Sequence, residues 1–80
     1  MKLEIITPEK KLFEGTIQSI TVPGSKGSFT VLHNHAPIIS TLDKGEVIIA
    51  TENNYDEIID IEGGVIDVQR NKIIVLADMK

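Results

Sequence analysis

Cysteine is absent from this sequence of 80 residues. Disulfide bonds and thiolate metal sites are therefore excluded, and because small secreted domains usually carry disulfides, a reducing cytoplasm is the expected environment. No window approaches the roughly 20 apolar residues that a membrane-spanning helix needs. The opening residues contain Glu4 and lack the apolar stretch of a signal peptide. We therefore expect a chain that is neither exported nor inserted into a membrane.

Aromatic side chains are few, and acidic residues outnumber basic ones. The chain has one tyrosine, two phenylalanines and no tryptophan, so it lacks an aromatic platform on which bases could stack. Twelve acidic residues against eight basic ones give a net charge of −4, and the basic residues are scattered rather than clustered. Nucleic acid is therefore not expected as a partner.

The β-branched residues isoleucine, valine and threonine dominate the composition. They supply 26 of the 80 residues, whereas alanine and leucine together supply eight, which is typical of strands rather than helices. Turn signals separate short segments of such residues at even intervals, as in a sandwich or barrel. A chain of this length can build only one core. We predict a single all-β domain over residues 1–80, with little or no helix.

Alternation of apolar and polar residues predicts which side chains face the core. The pairs and triplet expected on inward faces are Leu3 and Ile5, Ile20 and Val22, Phe29 and Val31, Val47 and Ile49, and Tyr55, Ile59 and Ile61. Two runs, 46–50 and 73–77, are apolar on both faces. Such runs fit central strands, or faces that another chain covers.

Asparagine and glycine pairs predict the connections between strands. Asparagine adopts positive φ readily, so Asn53-Asn54 predicts a tight hairpin between residues 45–52 and 55–62. Arg70-Asn71 is expected to join the last two strands similarly. Gly63-Gly64 marks a bulge or a crossing.

Two motifs have the residue types of ligand sites. Residues 24–27, Gly-Ser-Lys-Gly, resemble a phosphate loop, but no Gly-Lys-Ser/Thr triplet opens a helix after them, so a hairpin turn is the better interpretation. His33 and His35 would project to one side of an extended strand, as a metal pair requires. No third ligand is evident nearby, and a metal site needs one. We expect neither a metal nor a cofactor.

Carboxylates are plentiful near the middle of the chain. They alternate with apolar neighbours, so charge that faces solvent at a sheet edge is a better interpretation than acid–base chemistry. Examples are Asp56, Glu57, Asp60 and Glu62. No serine lies in the context of a nucleophile elbow, and the sequence shows no catalytic constellation. A non-catalytic protein is predicted.

Four fragments carry a family resemblance. They are Ser25-x-Gly27-x-Phe29, His35-Ala36-Pro37-Ile38, Gly63-Gly64 and Leu76-Ala77-Asp78. In this order and spacing the chain resembles the N-terminal β-sandwich domain of the F-type ATP synthase epsilon subunit, over essentially its whole length. It departs from the family pattern where Thr30 replaces a glycine, His33 a proline and Asn34 a glycine. These changes alter the local stiffness of the loop.

The resemblance implies a flattened β-sandwich of about ten short strands. It also implies a non-catalytic subunit of the central stalk, which links the gamma subunit to the membrane ring of c subunits and supports the coupling of proton or sodium flow to ATP synthesis. Such a subunit lies peripherally on the cytoplasmic face of the bacterial plasma membrane. Family members often continue into a helical hairpin that restrains hydrolysis and in some binds ATP. Since this sequence ends at Lys80, we expect neither property in it.

The resemblance further implies two sets of contact residues. Those expected to meet the gamma subunit are Thr7, His35, Pro37, Ile38 and Ser40. Those expected to meet the c ring are Ser28, Phe29 and Val31.

Lys44 supports an alternative hypothesis. A lysine at a turn midway through a small β-domain also resembles a lipoyl or biotinyl carrier domain, in which that lysine is modified. Gly45 follows the lysine where those domains carry an apolar residue, and residues 35–37 have no counterpart there. A solvated turn lysine is the simplest interpretation of Lys44. A binding module of another kind is the third possibility.

Overall fold

A computed structural model describes residues 1–52 and 56–79. Nine strands lie in these ranges, against about ten expected, and no helix does. The strands are β1 (Lys2–Ile6), β2 (Lys11–Thr16), β3 (Ser19–Val22), β4 (Phe29–Leu32), β5 (Ile38–Leu42), β6 (Gly45–Ala50), β7 (Asp56–Ile61), β8 (Gly63–Gln69) and β9 (Lys72–Asp78).

The strands form two sheets that pack as a sandwich. The five-stranded sheet has the order β2-β1-β9-β8-β5, and the four-stranded sheet has the order β4-β3-β6-β7. Neighbouring strands are antiparallel except β1 and β9, which run parallel with Leu3 opposite Ile73 and Ile5 opposite Val75. The two ends of the chain therefore lie side by side in one sheet.

Within residues 1–52 and 56–79, fifteen buried apolar residues fill the space between the sheets, because alternate side chains of each strand point inward. They are Leu3, Ile5, Ile17, Ile20, Val22, Val31, Leu42, Val47, Ile49, Ile61, Ile66, Val68, Ile73, Val75 and Ala77. Phe29 and Ile59 pack against this core while partly exposed. The predicted inward faces are thus confirmed, except that Tyr55 lies outside the described residues.

The predicted connections are found where they can be described. β6 and β7 pair as a hairpin, although Asn53-Asn54 falls outside the described residues. Arg70-Asn71 joins β8 to β9, and Asn71 has a φ of 63°. Gly63-Gly64 is a crossing, because it follows directly on the passage of the chain from β7 in one sheet to β8 in the other.

Both runs with two apolar faces lie on internal strands. β6 lies between β3 and β7, and β9 lies between β1 and β8. One face of β6 and one face of β9 pack in the core. On the other face Ile48 is half-buried, whereas Leu76 is 52% exposed. The outer face of the five-stranded sheet therefore keeps apolar surface open to solvent.

Candidate interaction surface

The longest exposed stretch of the chain joins two edge strands. Every residue in the range 32–39 is exposed, from the end of β4 through the following loop to the start of β5. Leu32 is 59% exposed and Ile39 is 72% exposed. We call residues 32–39 the β4–β5 surface. Exposed leucine and isoleucine on two unpaired strand edges make it a candidate for contact with a partner.

Local bonding and Pro37 fix the path of this loop. The His35 N–H donates to the Leu32 carbonyl at 3.1 Å, and Asn34 between them adopts a φ of 68°. Asparagine tolerates that φ better than most residues, which explains its presence in the turn. Pro37 restricts its own φ and that of Ala36. The loop is therefore a tight turn followed by a stiff extended segment.

The two histidines of the loop do not form a metal pair on a strand. A turn at Asn34 separates His33 from His35, so the extended geometry that would align them is absent. The Nδ1 atom of His35 lies 2.6 Å from the carbonyl oxygen of Ala36. Within residues 1–52 and 56–79, no group of three or more potential ligands could hold a metal ion.

The loop borders an open cavity of about 440 Å³ at one end of the sandwich. Met1 and the β8–β9 turn, including Arg70, line its other side, and Val68 and Ile73 form part of its apolar lining. The cavity therefore lies between the exposed loop and the end of the core.

Ile38 and Ser40 lie on edge strand β5, which begins at Ile38. They stand opposite Val68 and Ile66, so both side chains point toward the inner face, with Ile38 39% exposed. Ile39 points outward and is exposed, and it is not among the contact residues expected from the sequence. The pair of adjacent isoleucines was the available signal, since only one of two neighbours on a strand can point inward.

Thr7 has a structural role at the end of β1. Its side-chain oxygen accepts hydrogen bonds from the N–H groups of Glu9 and Lys10 and donates one to the Lys10 carbonyl at 3.0 Å. Only 8% of Thr7 is exposed. Since β9 and β8 separate β1 from β5, Thr7 is roughly 14 Å to the side of that strand. The structure does not bring Thr7 together with the other predicted gamma-contact residues.

An apolar row crosses the outer face of the five-stranded sheet between β5 and β1. Val65 stands opposite Leu76, which in turn stands opposite Ile6. Ile74 lies on the same face in the next row, where Asp67 separates it from Ile39. We call Ile6, Val65, Ile74 and Leu76 the outer apolar face. It lies on the same face of the sheet as Ile39, with Asp67 between them.

The three residues predicted to meet the c ring differ in exposure. Ser28 is exposed beside the β3–β4 turn, and Phe29 is half-buried with its ring against Gly24. Val31 is fully buried, because it faces Ile20 in the inner layer of the sheet. This corrects the expectation for Val31, whose side chain belongs to the core and is not available to a partner.

Lys44 lies in the exposed turn between β5 and β6. Its Nζ atom is 3.8 Å from Oε2 of Glu62, and its side chain is 76% exposed. A surface ion pair of this length contributes little to stability. The geometry is that of a solvated turn lysine.

Comparison with known families decides the class of this domain. The family model described as "ATP synthase, Delta/Epsilon chain, beta-sandwich domain" matches residues 1–79. The chain belongs to this family. The four sequence fragments and the two-sheet architecture agree with that membership.

Relatives of the domain are epsilon chains. The chain is 37% identical over 78 residues to the ATP synthase epsilon chain of Leptospira interrogans, covering 98% of this chain and 61% of that protein. With the epsilon chain of Chlorobium limicola it is 36% identical over 77 residues, covering 96% and 88% respectively. It thus spans about three fifths of the length of the Leptospira relative. These relatives give no support to the carrier-domain hypothesis for Lys44.

Solved structures share the fold. A chain in the OSCP/F1/c-ring structure of Euglena gracilis mitochondrial ATP synthase matches with a TM-score of 0.88 at 18% identity, over 94% of this chain and 48% of that chain. A chain in the central stalk and c-ring structure of the Tetrahymena thermophila enzyme matches with a TM-score of 0.80 at 19% identity, over 96% and 62%. None of the described residues forms a helix able to cross a membrane.

Proposed function

We propose that this domain acts as the β-sandwich of a non-catalytic central-stalk subunit in an F-type ATP synthase. In this role it binds the gamma subunit through one surface and the ring of c subunits through another. It thereby couples ion flow to ATP synthesis at the cytoplasmic face of the membrane. The observation that carries the proposal is the exposed apolar β4–β5 surface on a domain of this family.

The gamma-subunit contact comprises the β4–β5 surface, which includes His35, Pro37, Ile38 and Ile39, together with Ser40. The outer apolar face extends it toward β1. Thr7 supports this contact indirectly, by fixing the turn next to Ile6. Isoleucine and leucine at the centre of such a contact would be desolvated on binding, which is the main source of its free energy.

The ring contact comprises Ser28 and Phe29 beside the β3–β4 turn. This turn lies at the end of β4 opposite to the His33 loop. The domain would therefore present different ends of β4 to its two partners. Two interfaces of about 800 Å² each would cover roughly a third of the 5150 Å² surface.

Binding to the gamma subunit tests the proposal. The tagged chain should retain its own gamma subunit in a pull-down at one-to-one stoichiometry, and Ile39→Asp should abolish retention because it places a charge in a dry contact. Ile58→Asp is the matched control, since Ile58 is also an exposed strand isoleucine, at 56%, but on the outer face of the other sheet.

Three results would contradict the proposal. These are failure of the folded wild-type chain to bind gamma, equal binding by Ile39→Asp and the wild type, and equal loss of binding in the two isoleucine variants. Circular dichroism of each variant establishes that it remains folded. The predicted contacts of His35 and Ile38 are probed by the double variant His35→Glu, Ile38→Asp, which should also fail to bind the gamma subunit.

A further inference from the structure

Hydrogen bonds tie the β3–β4 turn to the end of β5. The Ser25 hydroxyl donates to Oδ1 of Asp43 at 3.0 Å, and the Thr41 hydroxyl donates to Oγ of Ser25 at 2.9 Å. Two backbone bonds lie beside them, from Ser25 N–H to the Thr41 carbonyl at 2.9 Å and from Asp43 N–H to the Pro23 carbonyl at 2.8 Å. We call Ser25, Thr41 and Asp43 the turn clamp.

The turn clamp links the two sheets by hydrogen bonds. The strand pairings lie within each sheet and do not make this link. The turn belongs to the four-stranded sheet, and β5 is an edge of the five-stranded sheet. Within the hairpin the turn is closed by the bond from Gly27 N–H to the Gly24 carbonyl, at 2.9 Å. β4 itself is an edge strand of four residues. A short hairpin at a sheet edge is marginally ordered unless other contacts hold it.

We propose that the turn clamp positions Ser28 and Phe29 for the c ring and carries load from that contact directly to β5. This inference rests on the proposed function. β5 carries Ile38, Ile39 and Ser40 of the gamma contact. A rotor element that transmits torque must not yield between its two contacts. The turn clamp joins the ring-contact turn directly to the gamma-contact strand through hydrogen bonds.

Removal of one acceptor tests the role. Asp43→Ala removes the acceptor of the Ser25 hydroxyl and leaves the bond from Thr41 to Ser25 in place. Binding of the full chain to the purified c-subunit ring should weaken roughly five- to tenfold, which corresponds to the loss of about one hydrogen bond. Binding to the gamma subunit should be unchanged. Amide hydrogen exchange of Ser25 and Gly27 should accelerate. Asp43→Asn keeps a side-chain oxygen acceptor and should restore wild-type values in each measurement.

Thr30→Val provides the matched control on the same hairpin. It removes the hydrogen bond between the Thr30 and Thr21 hydroxyl groups, 2.8 Å apart, and leaves the turn clamp intact. Ring binding should not change. If Thr30→Val weakens ring binding as much as Asp43→Ala does, general hairpin stability explains the effect and the positioning role is overturned.

Two further results would also overturn the proposed role of the turn clamp. One is wild-type ring binding by Asp43→Ala. The other is a defect in Asp43→Asn equal to that in Asp43→Ala, which would assign the effect to charge instead of hydrogen bonding. By contrast, a wild-type chain that binds neither gamma nor ring would overturn the proposed function itself.

Discussion

Gly64 lies against Leu76 so closely that a β-carbon on residue 64 would overlap the carbonyl oxygen of Leu76. Gly64 also has a φ of 154°, which residues with a side chain rarely adopt. The position lies at the start of β8, just after the chain crosses from one sheet to the other. Its conformation therefore sets how β8 enters the ladder with β9.

Gly64→Ala should lower the free energy of unfolding by about 2–4 kcal/mol, because it combines steric overlap with an unfavourable φ. Urea denaturation at 25 °C measures the change. Gly15→Ala is the control, since its β-carbon would meet only the Phe13 ring at an ordinary 3.6 Å. That variant should stay within about 0.5 kcal/mol of the wild type. Equal stability of the two variants would contradict the close approach at Gly64.

Val31 and Leu32 are neighbours on β4 with opposite environments. Val31 is fully buried, whereas Leu32 is 59% exposed. Val31→Thr would bury a hydroxyl among apolar side chains and should cost about 1–3 kcal/mol of stability. Leu32→Thr should cost no more than about 0.5 kcal/mol. Thermal and urea unfolding of both variants measure these losses. A larger loss of stability in Leu32→Thr than in Val31→Thr would contradict the burial of Val31.

Local patterns predicted much of this fold. Alternation identified the inward residues of most strands because a strand with one buried face must alternate. It also placed Val31 inward, and this local rule proved a better guide to the Val31 side chain than the contact role implied by resemblance. Gly63-Gly64 was recognised as a bulge or crossing, because paired glycines allow a backbone path that other residues resist.

Long-range pairings could not be predicted in this way. Nothing in the sequence indicates that β1 pairs in parallel with β9 or that Ser25 meets Asp43, since such contacts depend on the assembled sheets. Thr7 illustrates the same limit. Its inward direction follows from its place two residues after Ile5, but its hydrogen bonds depend on the turn that follows.

Leu76 tests whether the outer apolar face belongs to the gamma contact. It is 52% exposed at the centre of that face, between Val65 and Ile6. Leu76→Ser should leave the free chain nearly as stable as the wild type but weaken gamma binding about tenfold, because the contact loses a buried leucine. Isothermal calorimetry with purified gamma gives the affinity. Ile58→Ser, on the outer face of the other sheet, is the control and should bind the gamma subunit with wild-type affinity. If Leu76→Ser also binds with wild-type affinity, the outer apolar face is not part of the contact.

Lys11 and Glu14 form an exposed ion pair on β2 with a measurable pKa effect. The Lys11 ammonium donates a hydrogen bond to the Glu14 carboxylate. This hydrogen bond, reinforced by Coulomb attraction, lowers the pKa of Glu14 and raises the pKa of Lys11 from their ordinary values. The contribution of Glu14 to stability is therefore present above its unfolded-state pKa and is lost as the pH falls through its lower folded-state pKa. That of Lys11 is present below its unfolded-state pKa and is lost as the pH rises through its higher folded-state pKa.

Lys11→Met should return the pKa of Glu14 toward its ordinary value, as measured by NMR titration of the Glu14 carboxyl carbon. Molar salt should have the same effect in the wild type, because it screens exposed charges.

Lys10→Met removes a neighbouring lysine that makes no ion pair with Glu14. It should leave the titration of Glu14 unchanged. If both variants shift the Glu14 pKa equally, general charge rather than the specific hydrogen bond is responsible. Thermal stability should change little in either case, since an exposed pair is well solvated when broken.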